Sequence, residues 1–122
     1  MISKNKTEIN FGGEDRTFYF GLGFLNMMCE ETEYTMNNLQ SVTKEKPLVV
    51  IPLLMYYSLK FACLIEDKEI DFNKYKVISW FDEDGGLSGK ACIDFMNGFG
   101  NSMRSGLPEE KEGKKKVRMP KI

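Results

Sequence analysis

The 122-residue chain contains no histidine, a single tryptophan and only three cysteines, which are far apart in the sequence. Without histidine, the side chain most often used as a general base is missing, and with it every Ser-His or Cys-His nucleophile pair. Zinc binding is disfavoured for the same reason, and because no Cys-x-x-Cys pair is present. The odd number of separated cysteines (Cys29, Cys63 and Cys92) is typical of reduced thiols. We therefore predict a protein that is not an enzyme and that holds no cofactor and no metal.

The first dozen residues, MISKNKTEINFG, are polar and contain no apolar core segment, so no signal peptide is predicted. We therefore expect a cytoplasmic protein. Hydrophobic residues make up 42% and charged residues 29% of the chain, which favours one globular domain. Residues 109–122 carry six basic and three acidic side chains, whereas residues 1–108 carry 11 basic and 15 acidic ones. We predict a single domain over residues 1–108 and a charged, flexible tail over residues 109–122.

The segment EINFGGEDRTFYF has the alternation of a β-hairpin, with apolar residues at Ile9, Phe11, Phe18 and Phe20. The glycines between the two halves suit a tight turn. The segment FGLGF at residues 20–24 follows directly, and its glycine pair raises the possibility of a phosphate-binding loop. A dinucleotide fingerprint needs a third glycine where Asn26 stands, so we interpret Gly21 and Gly23 as a corner between strand and helix.

Four further segments have helical patterns. Apolar residues at helical spacing predict a helix over Leu22–Cys29, and a second one is predicted from an N-cap at Thr35. Later helices are predicted from caps at Asp71 and Ser88, the first ending at the glycine pair after DED. In the last helix, Gly98 and Gly100 weaken the helix unless a neighbouring backbone approaches closely there.

The most apolar segment is residues 48–65, in PLVVIPLLMYYSLKFACLI. A membrane span needs about 20 such residues and tolerates charge poorly, whereas Ser58 and Lys60 interrupt this run. We therefore predict the central helix of a bundle, with Leu53, Leu59 and Leu64 buried and a new start or bend at Pro52. The predicted fold class is α+β, an N-terminal β-hairpin packed on a small, mostly α-helical bundle with a central apolar helix.

Two charged segments offer candidate sites. The acidic residues of DEDGG, residues 82–86, do not have the spacing of a calcium-binding loop. We interpret this segment as a solvated helix end or as a contact for a basic partner. The basic residues Lys114, Lys115 and Lys116 lack interleaved aromatic side chains. We interpret them as a solubilising tail, with a nucleic-acid arm as the less favoured reading.

In element order and in residues, the chain resembles the tail assembly chaperones of long-tailed (siphovirus-type) bacteriophages. The resemblance covers residues 7–108 and rests on INFGGEDRTFYFGLGFLNMM, LLMYYSLKFA and IDFNKYKVISWFDEDGG. It implies a protein of the infected host cytoplasm, absent from the finished virion, that shields the tape-measure protein and recruits tail-tube subunits. It also implies a ribosomal frameshift near the end of the frame, where EGKKKV at residues 112–117 offers a candidate site. The alternative is a small nucleic-acid-binding regulator that uses the basic tail.

So small a domain is expected to leave part of its apolar surface exposed. We predict a patch for self-association or partner binding that includes Tyr56 or Tyr57. The candidate partner-binding residues are Phe18, Phe20, Phe24, Tyr56, Tyr57, Lys114, Lys115 and Lys116.

Overall fold

A computed structural model of the chain describes residues 6–106. This part is α+β and mostly helical, with a two-stranded antiparallel hairpin followed by five α-helices, as predicted. The elements are β1 (Lys6–Phe11), β2 (Glu14–Tyr19), α1 (Leu22–Glu31), α2 (Leu39–Glu45), α3 (Pro47–Ile65), α4 (Lys74–Glu83), a 3₁₀ turn (Gly86–Ser88) and α5 (Lys90–Gly106). The predicted tail at residues 109–122 lies outside the described residues.

The hairpin closes through a two-residue turn. Phe11 is paired with Glu14, and Gly12 and Gly13 between them have φ angles of 68° and 90°. Such angles favour glycine. Gly12 also lies against the ring of Trp80, so closely that a Cβ there would overlap the indole. The turn therefore both closes the hairpin and provides a flat contact for α4.

The corner between hairpin and helix lies at Gly21, whose φ is 102°, immediately before α1. Gly23 has a different role from the predicted one. It is already helical, and a Cβ at this position would overlap the ring of Phe61 on α3. One glycine thus turns the chain, and the other allows two helices to approach each other.

Helix α3 is the centre of the bundle, because it contacts α1, α2, α4 and β2. The hydroxyl of Ser58 donates a hydrogen bond of 2.6 Å to the carbonyl oxygen of Tyr19, which ties the helix to the outer edge of β2. The helix does not restart at Pro52, which lies buried within the continuous span. The position of the central helix is therefore confirmed, but not the restart at the proline.

The cap residues differ from those predicted. Asn73, not Asp71, caps α4 by accepting a hydrogen bond of 2.9 Å from the backbone N–H of Lys76. The N-terminal turn of α5 is capped from outside by Asp84, not by Ser88. Before α2, Thr35 and Asn38 cap each other reciprocally, although the α-helix itself begins at Leu39.

An aromatic cluster joins the hairpin to α1 and α5. Its members are Phe18, Phe20, Phe24, Phe95 and Phe99, with ring centroids 5.3–6.3 Å apart. Gly98 lies beneath this cluster, where a Cβ would be 2.8 Å from the ring of Phe20. The close neighbour of Gly98 is therefore an aromatic ring and not the backbone that we expected from the sequence.

Candidate functional site

The three phenylalanines predicted to bind a partner lie in the core. Phe18 and Phe24 are completely buried, and Phe20 is nearly so. They can all be buried because α5 supplies Phe95 and Phe99 to pack against them. The folded chain does not present these side chains to a partner, which corrects their assignment.

The two tyrosines have different environments. Tyr57 is only 4% exposed, and its hydroxyl is hydrogen-bonded to the Glu31 carboxylate, which also pairs with Lys60 at 3.3 Å. Burial, and then the negative charge of Glu31, raise the pKa of Tyr57 to about 12. Tyr56 is partly buried, with its ring 6.1 Å from that of Phe72. Of the two candidates, only Tyr56 reaches the surface.

One face of α3 is left without full cover by the rest of the fold. The side chains on it, which we call the α3 face, are Val49, Leu53, Tyr56, Lys60 and Leu64. Their spacing of four, three, four and four residues places them on a single stripe of a helix. Val49 is 52% and Leu64 is 53% exposed, while the three residues between them are partly buried. Most other side chains of α3 are buried, whereas Leu48 near its start and Ile65 at its end are exposed.

The chemical character of the α3 face is unusual for a solvated surface. Four of its five side chains are apolar or aromatic, and Lys60 already pairs with Glu31. Of the three leucines expected to be buried, Leu59 is buried, Leu53 is partly buried and Leu64 is exposed. The half-exposed Val49 and Leu64, with the partly buried Leu53 and Tyr56 between them, mark a candidate interaction surface.

A second feature is a groove of about 190 Å³ between β2 and the C-terminal half of α3. We call it the acidic groove. Its buried lining is apolar and consists of Leu59, Ala62 and Phe72. Six carboxylates also line it, from Glu8, Glu14, Asp15, Glu66, Glu69 and Asp71.

Two cations of the acidic groove are already engaged. Arg16 pairs with Glu14 at 3.2 Å and with Asp71 at 3.5 Å, and its guanidinium lies 4.3 Å from the centroid of the Trp80 ring. Lys68 pairs with Glu66 at 3.2 Å. Within residues 6–106, the carboxylates of Glu8, Asp15 and Glu69 have no ion-pair partner. The groove therefore carries an excess of negative charge.

The thiol of Cys63 lies in the same groove. Its pKa is raised, first by burial and then by the nearby carboxylate of Asp71. A raised pKa keeps the thiol protonated and makes it a poor nucleophile at neutral pH. In the described part of the chain, no three His, Cys, Asp or Glu side chains come together in a way that could hold a metal ion.

The remaining predicted sites have the following outcomes. Lys114, Lys115 and Lys116 lie outside the described residues. In DEDGG, the side chain of Asp84 caps α5, whereas Asp82 and Glu83 are exposed. Sequence reasoning did not select Val49, Leu53, Lys60 or Leu64. The spacing of the α3 face is visible in the sequence. Because the helix is apolar all round, however, the sequence does not show which side the rest of the fold leaves uncovered.

Helix α3 is also the one helix within residues 6–106 that is long and apolar enough to cross a membrane by length and composition, a property shared by core helices of soluble proteins. Half of its most apolar window is buried inside the fold. Comparisons with protein-family models, with curated proteins and with solved structures found no match.

Proposed function

We propose that the chain is a tail assembly chaperone of a long-tailed bacteriophage. It works in the host cytoplasm, binds segments of the tape-measure protein and recruits tail-tube subunits, and it performs no catalysis. The observation that carries this proposal is the α3 face, because a chaperone for an elongated partner needs an apolar surface that its own fold leaves open.

The size of the α3 face suits repeated, weak contacts. Full burial of a valine or leucine side chain contributes about 1.5–3 kcal/mol, so covering the exposed half of Val49 or Leu64 contributes roughly 1 kcal/mol. The whole face then supplies a few kcal/mol before the entropic cost of association is subtracted, so a single contact is weak. Many copies along one long partner, or contacts between neighbouring copies, turn such weak contacts into a stable assembly.

Two further observations support the proposal. The order of hairpin, glycine corner, apolar helix and two later helices, on which the resemblance depends, is also the order of elements in the fold. In addition, the excess of acidic side chains in residues 1–108 and in the acidic groove repels phosphate backbones. The charge distribution therefore favours a protein partner over the alternative of a nucleic-acid-binding regulator.

The proposal is tested by co-expressing the chain with the products of its neighbouring genes and purifying it through an affinity tag. We expect a long helical protein encoded nearby, or a tail-tube subunit, to co-purify in stoichiometric amounts. A duplex or single-stranded nucleic acid that binds the purified chain at 150 mM salt, with no neighbouring gene product captured, would instead identify the regulator.

A further inference from the structure

We propose that residues 32–46, which contain α2 and which we call the α2 strap, are an autoinhibitory element that covers part of the binding surface of α3 and opens to release it. The opening is a property of the free chain. Its role in binding rests on the proposed function, because the partner that takes the place of the strap is a helix of the tape-measure protein.

The α2 strap is held to the rest of the fold by very little buried surface. Of its fifteen residues only Leu39 is buried, while Tyr34, Val42 and two threonines are partly buried. One buried leucine is a small part of the apolar burial that stabilises a whole domain. Segments with so few buried contacts open locally before the rest of a fold does.

The hydrogen bonds of the α2 strap join its own residues to one another. Thr35 and Asn38 cap each other. The backbone N–H of Lys46 donates a hydrogen bond of 2.8 Å to the carbonyl oxygen of Val42. In the described part of the chain, no hydrogen bond or ion pair joins residues 33–45 to a residue outside the strap. Opening therefore breaks apolar contacts and no hydrogen bond.

Helix α2 lies over the first turns of α3. It contacts α3 more than any other element, and Lys46 alone joins the two helices, so the contact lies close to that residue. In those turns Val50 and Leu54 are at most 1% exposed. Their neighbours Val49 and Leu53, on the α3 face, are exposed and partly buried, respectively.

The contacts of α1 indicate which side of α3 the strap covers. Gly23 of α1 lies against the ring of Phe61, and Glu31 at the end of α1 is hydrogen-bonded to Tyr57. Positions 50, 54, 57 and 61 form one stripe of α3 because of their helical spacing. The strap begins directly after α1, which places it over the first two positions of this stripe. When it opens, these positions join the α3 face in one broader apolar surface.

An amphipathic helix of the partner is suited to replace the strap. The apolar residues of α2 are Leu39 and Val42, three positions apart, and both belong to the packed core. A partner helix with a longer apolar stripe covers the α3 face as well, and so holds α3 in its open state. The closed strap lowers the apparent affinity in proportion to the fraction of chains that are open.

The opening is tested on the free, full-length chain with Val50→Cys, which places a thiol at a completely buried position. Iodoacetamide alkylates accessible thiols, and mass spectrometry gives the rate at each cysteine. We expect Leu39→Ala to raise the rate at position 50 at least tenfold, because the contact that closes the strap is lost. The native thiol of Cys92 on α5, which is 4% exposed, should keep its rate.

Two results would overturn the opening. The first is an unchanged rate at position 50, and the second is an equal rise at position 50 and at Cys92, which would show general destabilisation. The control Leu87→Ala makes the same truncation at an exposed position outside the strap and should leave both rates unchanged.

Hydrogen exchange of the wild-type chain gives a second measurement that does not depend on the folding of Val50→Cys. Backbone amides of residues 43–45 should exchange at least tenfold faster than those of residues 56–59, at urea concentrations too low to unfold the chain. Equal rates would mean that the strap opens only when the whole fold does, and would contradict the proposal.

Calorimetric titration with the tape-measure protein separates the strap from the proposed function. We expect Leu39→Ala to bind at least threefold more tightly than the wild type, because more chains are open. Binding with equal affinity in both would contradict the autoinhibitory role and leave the proposed function intact. Binding by neither would overturn the proposed function, and with it the role of the strap in binding, while the alkylation rates decide the opening alone.

Discussion

The Oδ2 atom of Asp84 accepts a hydrogen bond of 2.9 Å from the backbone N–H of Ala91. An acidic residue that follows α4 thus satisfies a free N–H in the first turn of α5, across the sharp turn at Gly85 and Gly86. The carboxylate is also favourably placed for the positive end of the α5 dipole. The acidic segment at the end of α4 is therefore explained in part by the helix that follows it.

Loss of this cap is expected to destabilise the fold. The substitution Asp84→Ala should lower the free energy of unfolding by about 1 kcal/mol, the usual value of an N-cap, and Asp84→Asn should lose less because asparagine also caps well. Urea denaturation measures both values. Asp82→Ala is the matched control, since Asp82 is exposed and accepts no hydrogen bond with its side chain in the described part of the chain. An equal effect in the control would contradict a capping role for Asp84.

Gly98 is expected to be intolerant of even one added carbon. Although alanine favours a helix over glycine by about 1 kcal/mol, the new Cβ would lie 2.8 Å from the buried ring of Phe20. We expect Gly98→Ala to lower the free energy of unfolding by about 1–3 kcal/mol. The exposed neighbour Asn97 provides the control, since Asn97→Ala should leave stability unchanged or raise it slightly. Stabilisation by Gly98→Ala would show that the glycine is not needed for packing.

Tyr57 should make stability depend on alkaline pH. Its pKa is about 12 in the fold and near 10 in the unfolded chain, so its contribution is complete below pH 10 and is lost as pH rises from 10 to 12. A shift of this size corresponds to roughly 1–3 kcal/mol. We expect Tyr57→Phe to be less stable than the wild type at pH 8 and the difference to shrink towards pH 12.

Denaturant unfolding at a series of pH values checks this expectation. The exposed tyrosine Tyr75 offers a control, because Tyr75→Phe removes a hydroxyl without removing a buried hydrogen bond. A constant difference between wild type and Tyr57→Phe from pH 8 to pH 12 would contradict the assigned environment of Tyr57.

Replacement of Arg16 by lysine is expected to destabilise the fold. Its Nε donates a hydrogen bond of 2.7 Å to the carbonyl oxygen of Phe11, while the planar guanidinium lies over the Trp80 ring. Lysine offers neither the planar stacking nor the several donors, so Arg16→Lys should lower the free energy of unfolding by about 1–2 kcal/mol. The emission of Trp80, the chain's one tryptophan, should shift at the same time. Unchanged emission and stability would contradict this role, and Lys68→Arg serves as a surface control.

The strands and the central helix were predictable because their patterns are local. Period-two alternation determined the hairpin, and a long, mostly apolar run determined α3. The caps were less predictable, since Asp71 and Asn73 are both suitable and only the folded geometry selects one. Asp84 caps Ala91 across a turn that contains two glycines with left-handed φ angles. A search for a capping residue directly next to the helix therefore does not find Asp84.

The candidate site was predictable only in part. A helix that is apolar all round gives no polar stripe to identify its solvent side, so the choice between Tyr56 and Tyr57 could not be made from sequence. The burial of Phe18, Phe20 and Phe24 depended on the aromatic residues of α5, about 75 positions later in the chain. The acidic groove combines residues from the hairpin with residues 59–72, and no local pattern brings these together.

The proposed binding of a tape-measure protein to the α3 face is tested most directly by calorimetric titration of that protein with matched variants. The pair Val49→Lys and Leu64→Lys places charge on the α3 face at positions that are half exposed, so the fold is preserved. The control Ile93→Lys makes the same kind of change on α5, at 47% exposure. We predict at least tenfold weaker binding for the pair and wild-type binding for the control. Wild-type affinity in the pair, with the fold intact, would contradict the α3 face as the binding surface.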